Sequence, residues 1–178
     1  MNYAHIAKPA INPEPGFSDF FFIPTAELET IRKPTAPFTA PGDTQTIKTA
    51  HVPVDGKGAY RVYQLKEKHT AKGDTAGSFG SKTLKNEVDL FMPGFDAERL
   101  EFVKSILNEY VLTWSRDANC DLDTLIQYGN ECRPAEIDAN YTIGTFEPTG
   151  EKGFFLKVKW TGIPYVYAAT LPIFEAGS

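Results

Sequence analysis

The apolar residues of this 178-residue chain recur largely at every second position. In TLKNEVDLF, residues 83 to 91, Leu84, Val88 and Leu90 fall on one side with Asn86, and Thr83, Lys85, Glu87 and Asp89 fall on the other. Successive strand side chains point to opposite faces, so this spacing predicts a strand with one face in water. FFLKVKW, residues 154 to 160, repeats the pattern, with Phe154, Leu156, Val158 and Trp160 set against Lys157 and Lys159. The aromatic run FSDFFFI, residues 17 to 23, is closed by Pro24 and predicts a further strand. Shorter candidates are Thr44–Val54, Ala59–Leu65, Tyr110–Ser115, Thr124–Tyr128, Glu136–Thr145 and Tyr165–Thr170, with turn formers such as Asp55-Gly56 and Thr149-Gly150 between several of them.

One segment changes period. Pro93-Gly94 breaks the preceding strand, and Asp96 is placed to accept from the exposed amides of a helix N-terminus, where its charge also suits the dipole. Leu100, Val103, Ile106, Leu107 and Tyr110 then recur at helical spacing and predict a helix over residues 97 to 109 whose apolar stripe lies on the sheet. Phe95 before the cap and Leu100 at the fourth helical position are set for a hydrophobic staple.

Eight of the thirteen prolines lie in the first 53 residues, so this third is neither regular sheet nor long helix. Residues 1 to 16 read as an extended arm and 25 to 43 as mostly irregular crossing chain. The fold expected is mainly β (α+β): an antiparallel β-sandwich or barrel of about eight strands with one flanking α-helix, a long flexible loop and the N-terminal arm. A single domain spans residues 17 to 178, ordinary for this length.

The expected loop, KEKHTAKGDTAGSFGSK at residues 66 to 82, has glycines, four lysines and a following threonine that suggest a phosphate cradle. The spacing rejects it. A phosphate loop needs lysine directly after its last glycine and a helix N-terminus behind it, whereas Ser81 separates Gly80 from Lys82 and a strand follows. A dinucleotide fingerprint fails on the spacing of Gly73, Gly77 and Gly80. A loop this long is uncommon inside a compact domain. In an enzyme it would be a lid. In an assembling protein it would be an arm, with Phe79 as apolar anchor and Lys66, Lys68, Lys72 and Lys82 seeking a neighbour's carboxylates.

Composition narrows the class further. The 42% hydrophobic and 23% charged fractions fit a globular protein, and 13% aromatic residues lean toward β structure. No apolar run approaches the roughly 20 residues needed to span a bilayer. The start MNYAHIAKPAINPEPG lacks the basic and apolar regions of a secretory signal, which makes cytoplasmic synthesis the expectation. The net charge of −5 argues against a surface that grips nucleic acid. Charge is also uneven: Gly56–Lys85 holds seven basic residues and two acidic ones, Asp96–Glu151 twelve acidic and four basic. Two readings fit, a pair of solvated faces or head-to-tail association between opposite regions of neighbouring subunits.

Catalytic and metal chemistry find little support. DANCDLD, residues 117 to 123, alternates oxygen ligands like a calcium loop but puts Leu122 where glycine must turn the chain and Tyr128 where a bidentate glutamate belongs. Cys120 and Cys132 form no CxxC pair and read as reduced thiols, which excludes a zinc site. His5, His51 and His69 are scattered, no G-x-S-x-G elbow exists, and the abundant carboxylates single out no glycosidase pair. The expectation is a non-enzymatic chain without a cofactor.

The order FSDFFFIP, the loop KEKHTAKGDTAGSFGSK, then VDLFMPGFDAERLEFVKSILNEY, VLTWSRDANCD, YGNECRPAEIDANYTIGT, FFLKVKW and YVYAATLPI resembles the bacteriophage major tail tube proteins, which share their fold with the type VI secretion tube protein. The resemblance covers about residues 17 to 173, rests on element order, and departs from the family in the proline-dense stretch Pro34–Pro53. It implies a subunit of a hexameric ring, rings stacked into a tube through which DNA passes without specific binding, and a long loop that contacts the adjacent ring. It also implies partnership with other tail proteins and a place in the virion tail after assembly in the bacterial cytoplasm. Another virion protein, such as a capsid decoration or tail terminator subunit, is the neighbouring alternative. A small-ligand β-barrel and a hydrolase on a β scaffold are the alternatives from other classes.

Overall fold

The computed structural model describes residues 16–64, 68–118, 124–144 and 151–174. All but the last residue of the expected arm, together with Lys66, Cys120 and most of DANCDLD, lie outside the described residues. The described residues form strands β1 (Phe17–Pro24), β2 (Leu28–Thr30), β3 (Thr46–Ile47), β4 (Val52–Pro53), β5 (Tyr60–Val62), β6 (Thr70–Ala76) and β7 (Thr83–Pro93). Helix α1 (Ala97–Ile106) follows, then β8 (Val111–Asp117), β9 (Leu125–Tyr128), β10 (Glu136–Thr142), β11 (Gly153–Thr161) and β12 (Tyr165–Tyr167). The fold is mainly β with one α-helix, as the alternation predicts.

A six-stranded sheet has the order β3-β12-β9-β8-β1-β5 and a four-stranded sheet the order β10-β11-β7-β6; β2 and β4 make a small third sheet. Every pairing is antiparallel except β12 with β3. The inward residues of the two large sheets meet in one core, Phe20, Phe22, Val111 and Tyr128 from the first and Val88, Leu90, Ile137, Leu156 and Val158 from the second. Fully burying side chains of this kind contributes about 1.5–3 kcal/mol apiece.

The six-stranded sheet has a second apolar face. Phe21, Ile23, Ile47, Leu112, Trp114 and Tyr167 pack there with Ala59 and Leu171, which lie outside the sheet's strands. Inside this layer His51, almost fully buried, joins crossing chain to sheet. Its Nδ1 accepts from the Arg32 amide at 2.8 Å, so its proton sits on Nε2 and is donated to Gln127 Oε1 at 2.8 Å. The same oxygen accepts from Trp114 Nε1 at 3.0 Å, and Gln127 Nε2 donates to the Gly129 carbonyl at 3.1 Å. The Tyr167 hydroxyl accepts from the His51 amide at 3.1 Å. Each partner is a group whose burial unpaired would cost about 1–3 kcal/mol.

Several expectations are corrected. The predicted flexible loop over 66–82 is for the most part a β-hairpin, because β6 pairs along β7 from Thr70↔Asp89 to Ala76↔Thr83. The helix ends at Ile106 and not at residue 109. Glu109 donates to the Ile106 carbonyl in a tightened turn, which brings the chain round to enter β8 at the fully buried Val111. Asp96 caps as predicted, accepting from the Arg99 amide at 2.9 Å, and Val103 and Ile106 are buried. Leu100 and Leu107 are instead 44% and 46% exposed, since α1 meets the core along the narrow line of Phe102, Val103 and Ile106. Phe95 is turned to the sheet, stacked on Phe154 at 5.1 Å. The predicted strand Thr44–Val54 divides into β3 and β4, interrupted where His51 dives into the core.

Burial pushes the His51 imidazole below its ordinary value, with the Gln127 hydrogen bond opposing. A depressed folded value means that the unfolded chain takes up the proton first as pH falls. The stability this site contributes is therefore complete above about pH 6.5 and is lost as pH drops toward the folded value. The urea midpoint is expected to fall between about pH 7.5 and 5.5, and His51→Gln, though less stable at the outset, to show a smaller fall. Equal falls in both proteins would contradict the role of His51.

Candidate assembly surface

Of the loop residues singled out from the sequence, the β6–β7 hairpin carries Lys72, Phe79 and Lys82. The sequence TAKGDTA has no apolar stripe, and β6 is exposed on both faces, so it lies beyond the cover of the six-stranded sheet. Its order comes from the ladder to β7, an eleven-residue strand with β11 on its other side. Gly77 makes the turn possible: its φ of +96° is left-handed, and a Cβ there would meet the Ser81 carbonyl oxygen at 2.7 Å. The Ser81 amide donates to the Ser78 carbonyl at 3.0 Å and closes the tip. Phe79 stands on that tip, 98% exposed.

At mid-strand Gly73 lies opposite Asn86. Asn86 is buried and donates Nδ2 to the Gly162 carbonyl at 2.7 Å, tying β7 to the chain after β11. A Cβ at position 73 would meet Asn86 Oδ1 at 2.9 Å, so the glycine leaves room for that amide.

The register builds a lattice of charge on the outward face of the four-stranded sheet. One row reads Thr70, Asp89, Lys157, Asp138; the next reads Lys72, Glu87, Lys159, Glu136; a third reads Asp74, Lys85, Thr161. Signs alternate across the strands. Glu87 receives Lys72 at 3.4 Å, Lys85 at 3.3 Å and Lys157 at 3.6 Å, Lys157 also reaches Asp89 at 3.4 Å, and Lys159 pairs with Asp138. The Glu87 carboxyl is accordingly held below the usual range, first by the hydrogen bond from Lys85, then by the charge of Lys157.

Of the four lysines expected to seek a neighbour, two are engaged at home. Lys72 meets Glu87, and Lys68 pairs with Glu151 while lying over the Phe91 ring at 5.5 Å. Lys82 is exposed beside the tip and has no ion pair among the described residues. Asp96 caps α1, and Val103 and Ile106 pack it into the core with Phe95 against the same cluster. The carboxylates Glu87 and Asp89 were legible in the alternation as an outward row, but their partners were not, since pairing depends on the register of strands far apart in sequence.

The four-stranded sheet ends in β6 on one side and β10 on the other. Among the described residues, each presents a row of backbone groups with no strand beyond it, which is a template for further pairing. Three successive antiparallel pairings make these two edges run antiparallel to each other. The outward side chains of β10 include Glu136 and Asp138, and those of β6 include Lys72.

Gly73→Val is expected to displace the Asn86 amide and destabilise the protein by about 1–3 kcal/mol in urea unfolding. The exposed neighbour Thr75→Val is expected to stay within about 0.5 kcal/mol of the parent. A neutral Gly73→Val would refute the close approach of β6 to Asn86. Comparison with protein-family models, with curated proteins and with solved structures finds no match for this chain.

Proposed function

We propose that this chain is a structural subunit of a phage tail tube, in which copies join edge to edge into rings and rings stack into a conduit for DNA. The observation that carries the reading is the pair of mutually antiparallel edges that the described residues leave open on the four-stranded sheet. When β10 of one copy meets β6 of the next, the sheet continues antiparallel through every junction, and rotation can close it without leaving an edge. Zero offset brings Glu136 of one copy against Lys72 of the next, an opposite-charge pair across strands. Six copies are what the resemblance implies.

The outward face of that sheet suits a conduit. Lys72, Lys85, Lys157 and Lys159 are interleaved with Asp74, Glu87, Asp89, Glu136 and Asp138. A surface whose lysines are neutralised by neighbouring acids releases few counterions on meeting a polyanion, so it holds DNA weakly and lets it pass. The hairpin tip, with Phe79 unburied, supplies the contact between rings.

Negative-stain microscopy at rising protein concentration is expected to reveal rings and short stacks that weaken as salt is raised. Particles that stay monomeric at every concentration and salt would overturn the proposal. Phe79→Ser is expected to unfold at the same temperature as the parent, because its ring buries almost nothing, yet to give no stacks.

A further inference from the structure

The molecule has an apolar cleft at the pole opposite its exposed phenylalanine. The cleft measures about 510 Å³ and is lined by Phe22, Pro24, Ala26, Tyr60, Phe102 and Ile106 where α1 crosses the ends of β1 and β5. Its aromatic wall is ordered: Phe22 lies 5.6 Å from both Tyr60 and Phe102, edge-on to the latter. Beyond Phe102 the groove continues to Val62 and Met92.

We infer that this cleft seats Phe79 of a second copy of the chain, an inference that rests on the stacked-ring reading and names the receiving surface. Three observations support it. First, the match of knob and hole: Phe79 is the most exposed large apolar side chain among the described residues and is held on an ordered turn, and the cleft offers it rings and aliphatic walls. Second, the polarity: Lys82 beside the tip has no ion pair among the described residues, while the cleft and the helix along it present exposed Glu98, Glu101 and Glu109 against Lys104, with Arg99 already paired to Asp96. Lys82 and Glu109 flank the tip and the cleft respectively, so docking sets opposite charges beside the buried ring.

Third, the distance. The tip is at the Thr83 end of β7 and the cleft is at the Met92 end, nine residues along one strand. At about 3.4 Å per residue that is roughly 30 Å, so a copy does not fill its own cleft with its own hairpin. A knob at one pole and its hole at the other make a heterologous contact, which repeats in one direction and generates a stack.

The test uses the full chain in two preparations, Ser78→Cys, which keeps the Phe79 ring, and Ser105→Cys, each with Cys120 and Cys132 replaced by serine. Ser105 is an exposed residue lining the cleft. A disulfide forms only when Cα atoms come within about 7 Å, so oxidation of the mixture reports docking directly. The expected result is a cross-linked heterodimer on a non-reducing gel, absent when Ser78→Cys is mixed instead with Thr39→Cys on the crossing segment. Ala26→Trp added to the Ser105→Cys chain fills the cleft and is expected to abolish the cross-link. Rings and stacks without a cross-link above the Thr39→Cys control would overturn this docking and leave the tube reading standing. Cross-linked pairs without rings would support the docking and sink the tube.

Discussion

Strand β1 is apolar on both faces, and the rest of the fold follows from covering it. Phe20 and Phe22 point one way and Phe21 and Ile23 the other, and all four are buried. A strand of this kind has to lie in the interior of a sheet with a layer on each side. One layer is the four-stranded sheet with α1 closing its side; the other is the crossing chain, with Ile31, Ala59 and Leu171 packed down and His51 locked by its hydrogen bonds. The proline-rich chain from Leu28 to His51, with little regular structure, thus packs over the second face of the sheet. Backbone groups in and beside it find partners singly, as in the Val54 amide donating to the Glu27 carbonyl and the Asp43 carboxylate accepting from Thr39 and Ala40.

The four-stranded sheet is placed differently. Only one of its faces is needed as cover, which leaves the other free to carry lysine and carboxylate in alternation, and its edges reach past the core. β6 projects there without burying any apolar side chain. An element that contributes little to the subunit's own core is free to serve contacts outside it, and the hairpin, the outward lattice and the apolar cleft are all surfaces of that kind. The hairpin tip adjoins one end of β7, and the groove beside the cleft reaches Met92 near the other.

The interior strands were legible because burial imposes a period. The alternation in TLKNEVDLF and FFLKVKW matched β7 and β11 to within two residues at either end. Asp96 was legible as a cap because capping is a local demand of the helix start. β6 escaped notice because a strand exposed on both faces has no hydrophobic period, and its glycines, which admit the Asn86 amide and shape the turn, are also the letters of a flexible loop. Leu100 and Leu107 misled for the converse reason. Helical spacing reports which side chains share a stripe and not how wide a strip of core that stripe will meet.

Local chemistry in the chain therefore settled the mainly β class, the one capped helix, the outward row of lysines and carboxylates, and the failure of the phosphate and calcium motifs. Those rest on periods, caps and spacings that act over a few residues. Tertiary structure alone decided that β6 pairs with β7, that Glu87 gathers Lys72, Lys85 and Lys157, that His51 meets Gln127, and that Phe79 and the cleft lie at opposite poles. Each of these depends on register and on which elements lie across from one another, and contacts between residues far apart in sequence leave no mark on the pattern of either segment by itself.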